Sequence, residues 1–305
     1  MRRFREQVLP LDTIQQLTRG NPLRTRAFLE YLNPSQGIYT AVEEEAGNIY
    51  IIGQITRRGN SRSSHVSFIA PGRSIFSPRL TEMMDYLAAQ AGEWGTFHLL
   101  VDADEHSQYF DALRKANFSV YAWQRIWKFQ PGTASGALPG YAVPENAWRP
   151  AEERDALAIK VLAQSLVPAL VQPVEPLFDH TPKGLLVRSQ GHLCGYADIT
   201  KGSEGLWVQP FIHPETDNVP GLLTALLKTI SQKCNSRIYI CVRSYQAWIE
   251  SALEELPVLA SPRQALMVRQ LAVKLMETAP IKMPAFEKSR VKTGPVAHSE
   301  TGKQV

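Results

Sequence analysis

Apolar residues along this chain recur either at every second position or at every third and fourth position. Segments of these two kinds follow one another in an order that occurs twice. Three extended segments at residues 37–44, 48–57 and 64–70 are rich in Ile, Val, Tyr and Thr, and Gly and Asn residues separate them. Segments of this kind predict β-strands, and short breaks containing Gly and Asn predict hairpin turns. We therefore expect an antiparallel meander in the first half of the chain.

Segments with the residue spacing of helices lie before and after this meander. Two short helical pieces precede it at residues 12–18 and 24–32, and Asp12 stands where an N-cap is expected. After the meander, apolar residues three and four positions apart predict a helix from Pro78 to about residue 91. A strand, a second helix and a last strand are predicted at residues 96–101, 107–116 and 119–129.

The second half of the chain repeats this order. A helix is predicted from residue 151 to about 167, and a meander, a helix, a strand, a helix and a strand follow it. Their predicted bounds are 184–189, 192–200, 205–211, 220–233, 237–242, 246–256 and 264–271.

One short sequence pattern closes both meanders. Phe-Ile-Ala-Pro ends at Pro71 and Phe-Ile-His-Pro ends at Pro214, 143 residues later. The same spacing relates Leu87 to Ile230 in the helices that follow. A repeat of this length is much longer than a solenoid repeat, so it indicates a duplicated domain. We predict an N-terminal domain at residues 1–130 and a C-terminal domain at residues 149–275.

Two segments lie outside these domains. Residues 131–148 are punctuated by Pro and Gly and show little periodicity, which predicts a linker. Residues 276–305 contain few large apolar side chains, so they cannot bury enough surface to offset the entropy of ordering. We predict that this tail is disordered.

Composition narrows the classes of function. The 305 residues carry a net charge of +4 and 44% hydrophobic residues, and neither half is strongly basic, so we expect no nucleic-acid partner. No apolar run reaches the length of a membrane span, so we expect no membrane partner. Cys194, Cys234 and Cys241 form no CxxC motif, which favours reduced thiols in a cytoplasmic protein. The spacing of His98 and His106 is not that of metal ligands, and we expect no metal.

The order of elements, with the strand ends Ile69-Ala70-Pro71 and Ile212-His213-Pro214, resembles the GNAT N-acetyltransferase superfamily. The likeness covers about residues 5–275, with one copy on each side of the linker. It implies a mixed α/β (α+β) fold of two GNAT-like domains in tandem, each with a central, mostly antiparallel sheet flanked by helices. In that fold a V-x-P-like strand end precedes the cofactor loop and a long helix.

The resemblance also implies a cofactor. A GNAT-type loop, Q/R-x-x-G-x-G/A, cradles the pyrophosphate of acyl-CoA on backbone N–H groups at a helix N-terminus. The first counterpart, residues 72–79, lacks paired glycines, and the second places Glu215 and Asp217 where a pyrophosphate needs donors. Acetyl-CoA is thus the implied acyl donor, and the first loop is the preferred site. The implied cofactor-binding residues are Ile69, Pro71, Gly72, Arg73, Arg79 and Gly221. The alternative for both loops is helix capping without a ligand.

The catalytic positions depart from the family pattern. Many GNAT-like enzymes place a proton-donating Tyr in the last helix, but the matching positions here hold Leu113 and Leu253. Tyr109, one helical turn earlier, is the candidate substitute. His213 is the candidate general base because it lies at a strand end beside the cofactor loop and an imidazole can exchange a proton near neutral pH. A core aromatic and a hydrogen-bonded structural histidine are the alternatives for these two residues.

Three functions remain open on the sequence. The first is an N-acetyltransferase that transfers an acyl group from acyl-CoA to the amine of a small molecule or peptide. The second is a catalytically inactive tandem GNAT-like scaffold or small-ligand-binding protein. The third, a nucleic-acid-binding module, rests on the pI of about 8.9 alone. The resemblance favours the enzyme, and it leaves open the acceptor, the active copy and the oligomeric state.

Overall fold

The computed structural model describes residues 8–21, 37–45, 49–59, 61–132, 138–141, 147–175 and 182–271. The helical piece predicted at residues 24–32 and the tail predicted from residue 276 lie outside these ranges. Within them the chain forms strands β1 to β13 and helices α1 to α6, together with short 3₁₀ helices.

The first half contains six strands and three helices. They are β1 (Leu9–Pro10), α1 (Thr13–Arg19), β2 (Ile38–Glu45), β3 (Ile49–Arg57), β4 (Ser63–Ala70), a 3₁₀ helix (Gly72–Phe76), α2 (Leu80–Glu93), β5 (His98–Asp104), α3 (Gln108–Lys115) and β6 (Ser119–Phe129). The side chain of Asp12 accepts a hydrogen bond from the N–H of Gln15 at 3.0 Å, so Asp12 is the N-cap of α1.

The second half contains seven strands and three helices. They are β7 (Arg149–Pro150), a 3₁₀ helix (Glu153–Asp155), α4 (Ala156–Leu166), β8 (Gly184–Ser189), β9 (His192–Lys201), β10 (Leu206–Ile212), α5 (Val219–Lys233), β11 (Ile238–Arg243), a 3₁₀ helix (Ser244–Gln246), α6 (Trp248–Glu254), β12 (Leu259–Ala260) and β13 (Gln264–Gln270). Pro71 and Pro214 therefore follow corresponding strands, β4 and β10.

The strands form one sheet in the order β2-β3-β4-β5-β13-β6-β11-β10-β9-β8-β7, with β1 against β4 and β12 against β6. Of the described pairs, only β4 with β5 and β10 with β11 are parallel. The sheet is thus mostly antiparallel and helices flank it, which confirms the predicted fold class. The domain boundaries stay a prediction, because the sheet runs without a break from one half to the other.

The two halves exchange their last strands. β13, from the second half, pairs with β5 of the first half, and β6, from the first half, pairs with β11 of the second. β13 and β6 also pair with each other at the centre of the sheet, where Gln264 lies opposite Gln124. Each half therefore depends on the other for a central strand.

Apolar residues alternate between the two faces of this sheet. On β13, Met267 packs in the cluster that includes α2 and α3, whereas Leu266 packs in the cluster that includes α4. On β11, Ile240 packs with α5 and α6, whereas Cys241 packs with α1. One face therefore carries α2, α3, α5 and α6, and the other carries α1 and α4. Alternation of this kind is what a two-residue strand period produces in a sheet buried on both faces.

Candidate functional site

Each half contains a place where a parallel strand pair separates. β4 and β5 pair only from Ser63 opposite His98 to His65 opposite Leu100, and β10 and β11 pair only as far as Val208 opposite Ile240. All four strands continue beyond these points. We call the space between residues 66–70 and 101–104 the first cleft. We call the space between residues 209–212 and 241–243 the second cleft.

The chain itself fills the first cleft. β1 pairs with β4, with Leu9 opposite Ile69 and Pro10 opposite Phe68. The N–H of Leu11 donates to the carbonyl of Ser67 at 3.1 Å, and the carbonyl of Leu11 accepts from the N–H of Asp102 at 2.8 Å. Leu11 is 1% exposed and belongs to the core of the first half. The backbone of Leu11, directly after β1, therefore joins the separated edges of β4 and β5.

The side chain of Gln246 hydrogen-bonds the edge of β10 in the second cleft. The amide Nε2 of Gln246 donates to the carbonyl of Pro210 at 3.2 Å, and its Oε1 accepts from the N–H of Ile212 at 3.4 Å. Gln246 is 0% exposed. It lies at the end of the 3₁₀ helix Ser244–Gln246, which directly follows β11. The two clefts are thus closed in different ways.

The predicted cofactor loop of the first half forms a 3₁₀ helix. The N–H of Ser74 donates to the carbonyl of Pro71 at 2.8 Å, and the N–H of Ser77 donates to the carbonyl of Ser74 at 3.0 Å. Several backbone donors of this loop are therefore engaged within it. The guanidinium of Arg79 donates to Glu43 at 3.2 Å.

The other predicted residues of this loop lie around the 3₁₀ helix. Ile69 and Pro71 are buried, Gly72 is half-buried, and Arg73 is exposed. The structure thus brings the six predicted residues to two separate places, since Gly221 lies beside the second cleft.

The helix end beside the second cleft is capped by its own chain. Asn218 has a left-handed backbone, with φ of 53°, and its side chain accepts from the N–H of Gly221 at 3.1 Å. A Cβ at Gly221 would come within 2.5 Å of the Asn218 amide nitrogen, so the cap requires glycine at this position. Glu215 and Asp217 are exposed in the same loop.

The two predicted catalytic residues lie beside different clefts. His213 directly follows β10, and its Nδ1 accepts from the N–H of Glu215 at 3.3 Å. Tyr109 begins α3 in the first half, and its hydroxyl accepts from the N–H of Asp104 at 3.3 Å. Burial raises the pKa of Tyr109. Leu113 and Leu253, at the family's tyrosine position, are both buried in the cores. The roles of His213 and Tyr109 stay predictions.

A cluster of charged side chains, built on the buried Asp12 and the partly exposed Arg58, lies beside the first cleft. Arg58 donates to both carboxylate oxygens of Asp12, at 2.9 and 2.6 Å, and the N–H of Thr13 donates to Asp102 at 2.9 Å. Burial raises the pKa of Asp102 to about 6, with the neighbouring Asp12 charge as a further cause. Burial lowers the pKa of His65 to about 4, with the Arg58 charge as a further cause. Asp12 was predicted as an N-cap, and no signal in the sequence indicated that these side chains lie together.

A chain of hydrogen-bonded side chains, of which Gln124 and Arg243 are buried, crosses the centre of the sheet. Gln264 donates to Asp104 at 3.0 Å and accepts from Gln124 at 2.9 Å. The Oε1 of Gln124 in turn accepts from Arg243, whose guanidinium also donates to Glu175 at 2.6 Å. Gln264 and Gln124 belong to the two exchanged strands, so this chain of hydrogen bonds joins the halves.

Two kinds of site have no support among the described residues. No group of three His, Cys, Asp or Glu side chains there is arranged to hold a metal ion. Within the same ranges, no helix combines the length and apolar character needed to cross a membrane.

Comparison with known structures identifies the fold. A GCN5-related N-acetyltransferase from Sphaerobacter thermophilus is similar, with a TM-score of 0.51 at 10% identity over 77% of this chain and 81% of that one. A GCN5-related N-acetyltransferase from Kribbella flavida gives a TM-score of 0.46 at 13% identity, over 80% of this chain and 93% of that one. A tandem GNAT protein from the clavulanic acid biosynthesis pathway also gives 0.46 at 13%, over 76% and 83%.

Sequence comparison adds no relative: no protein-family model and no curated protein matches the chain. The chain has the GNAT fold, as its sequence predicts. At identities this low, the similarity shows the fold alone, because one fold hosts many different activities.

Proposed function

We propose that this protein is an acyl-CoA-dependent N-acyltransferase whose acyl donor enters the second cleft. The observation that carries the proposal is the closure of that cleft by the side chain of Gln246 at the edge of β10, where the first cleft is closed by a strand. This choice differs from the one favoured by the sequence, which placed acetyl-CoA at residues 72–79.

The free-energy costs of opening the two clefts favour the second. Opening the first cleft means removing β1 from two strand edges and exposing the side chain of Leu11, and burying a leucine alone is worth about 1.5 to 3 kcal/mol. Opening the second requires moving at least the side chain of Gln246, which is also buried and makes two hydrogen bonds, each worth about 0.5 to 1.5 kcal/mol net. The exposed carboxylates of Glu215 and Asp217 oppose an anionic donor by only about 0.2 to 1 kcal/mol each, because solvent screens them.

Some groups at the second cleft suit such a donor, and others do not. The carbonyl of Pro210 and the N–H of Ile212 are strand-edge groups that an extended, amide-containing chain can bond. An acyl-CoA would supply the acyl group as a thioester. The amine would attack its carbonyl carbon, so that an N–C bond forms and the C–S bond breaks, and CoA would leave as its thiol, with the proton given up by the amine balancing the one that the thiolate gains. His213, at the strand end, is the group we propose to take the proton from that amine. The helix N-terminus at Gly221 contributes a favourable dipole but is already capped by Asn218.

A calorimetric titration with acetyl-CoA tests this proposal. The double variant Arg73→Ala with Arg79→Ala is expected to bind as the wild type does. The double variant Glu215→Gln with Asp217→Asn is expected to bind about two- to thirtyfold more tightly at low salt, because two like charges are removed. Loss of binding in the arginine variant would instead assign the donor to the first half.

A second candidate function rests on the closure of both clefts. β1 fills the first and Gln246 bonds the edge of the second, an arrangement that also suits a scaffold without transferase activity. In that case acetyl-CoA would not bind at millimolar concentration, and no amine in a panel of small molecules and peptides would be acetylated.

A further inference from the structure

The contact between Gln246 and β10 reproduces the pairing of one strand with another. In a strand, the carbonyl of one residue and the N–H of the second residue after it point to the same edge. Pro210 and Ile212 have this relationship, and the amide of Gln246 offers one donor to the first and one acceptor to the second. A carboxamide is chemically the same group as a peptide unit. The side chain therefore bonds β10 as a neighbouring peptide would.

The first cleft provides an internal comparison. Ser67 and Ile69 are separated from Pro210 and Ile212 by the same 143 residues that separate Pro71 from Pro214. The carbonyl of Ser67 accepts from the N–H of Leu11, and Ile69 lies opposite Leu9 in β1. Main-chain amides thus bond the strand edge in the first half, and a side-chain amide does so in the second.

We propose that Gln246 holds the place of an amide of the acyl donor and leaves that place when the donor binds. This inference rests on the proposed function, which places the donor at the edge of β10, and what it adds is the role of Gln246 at that edge. An extended arm containing secondary amides can offer β10 a donor and an acceptor in the way an added strand does.

The position of Gln246 suits this exchange. It ends the 3₁₀ helix Ser244–Gln246, between β11 and α6, so a movement of its side chain breaks no strand-to-strand pairing. Its departure alone would leave a buried carbonyl and a buried N–H without partners, which is unfavourable. An occupant that replaces both bonds removes this penalty. The cleft is therefore closed to molecules that cannot pair with β10 and open to those that can.

The exchange reduces affinity in the wild type, because the bonds of Gln246 are broken as the donor's bonds form. Gln246→Ala is expected to lower the calorimetric Kd for acetyl-CoA by about five- to a hundredfold, the equivalent of two net hydrogen bonds. Gln246→Met keeps the side-chain volume without the amide and serves as the second variant if the alanine variant does not fold.

Gln54→Ala is the matched control. Gln54 is also a buried glutamine, and it donates to the hydroxyl of Thr40 in the first half. Its replacement is expected to lower the melting temperature and leave the Kd for acetyl-CoA unchanged. A parallel fall of the Kd in this variant would show a general effect of loosening and overturn the inference.

Nuclear magnetic resonance of the Gln246 side-chain amide gives a second readout. The side-chain NH₂ resonances of Gln246, assigned by their absence in Gln246→Ala, are expected to shift strongly on saturation of the wild type with acetyl-CoA. If the wild type binds and these resonances stay in place, or if the Kd of Gln246→Ala is unchanged or higher, the inference is wrong while the proposed function stands. If neither protein binds acetyl-CoA, both are wrong.

Discussion

The backbone N–H of Leu11 donates to the carbonyl of Ser67 at 3.1 Å, so the N-terminal segment lies between β4 and β5 where these two strands separate. The carbonyl of Leu11 accepts from Asp102 on the opposite strand. These bonds make β1 an inserted strand of the first half. The loop at residues 72–79 therefore lies beside a cleft already filled by protein.

Replacing Leu11 tests how firmly the strand is held. Leu11→Ala removes a side chain that is 1% exposed, so we expect the free energy of unfolding in urea to fall by about 2 to 5 kcal/mol. Leu170→Ala, at a leucine that is 89% exposed, is the control and should change it by less than about 0.5 kcal/mol. Equal effects of the two variants would mean that β1 is not part of the core.

Asp102 and His65 should act oppositely on stability between about pH 4 and pH 6. Burial raises the pKa of Asp102 to about 6, so its stabilising contribution is full below about pH 3.9 and is lost as pH rises through 6. Burial lowers the pKa of His65 to about 4, so its contribution is full above about pH 6.5 and is lost as pH falls through 4.

Single variants should separate the two effects. With Asp102→Asn, stability is expected to rise with pH across this window, by at most about 1.4 kcal/mol per pH unit. With His65→Gln, it is expected to fall by a similar slope, whereas the wild type stays nearly flat. Urea unfolding at a series of pH values measures this, and identical profiles for all three proteins would contradict the assignment.

The bond between Gln124 and Gln264 should hold the exchanged strands together. Each glutamine is part of one chain of hydrogen bonds, so Gln264→Ala leaves partners unsatisfied and should cost about 1 to 3 kcal/mol. A double-mutant cycle with Gln124→Ala should give a coupling energy of about 0.5 to 3 kcal/mol. Gln172→Ala, at a glutamine that bonds only backbone carbonyls, should show no coupling to Gln124→Ala.

Much of the fold could be predicted from the sequence because the elements repeat with clear periods. The strands at Gly184–Ser189 and Ser119–Phe129 have the bounds that the pattern predicted, and Asp12 is the N-cap it indicated. Local periodicity and capping chemistry determine such features. The exchange of β6 and β13 could not be predicted, since strand order depends on pairing between residues distant in sequence.

The candidate site was less accessible to sequence reasoning. The loops, the clefts' strand ends and the absence of the family tyrosine could be located by their motifs. Leu9-Pro10-Leu11 gave no sign of insertion, since an apolar tripeptide before an N-cap is ordinary, and Gln246 belongs to no motif. Both close a cleft through hydrogen bonds to backbone groups, which any residue or any amide can make. The sequence favoured the first loop as the cofactor site because of its side-chain charges. Charge does not show whether the neighbouring cleft is filled by protein.

Hydrogen–deuterium exchange with and without acetyl-CoA is the most direct test of the account. If the donor binds in the second cleft, added protection is expected at residues 209–221, which carry the edge of β10 and the start of α5, and none at residues 67–79. Added protection at residues 67–79 instead, or no change in either segment at saturating acetyl-CoA, would contradict it.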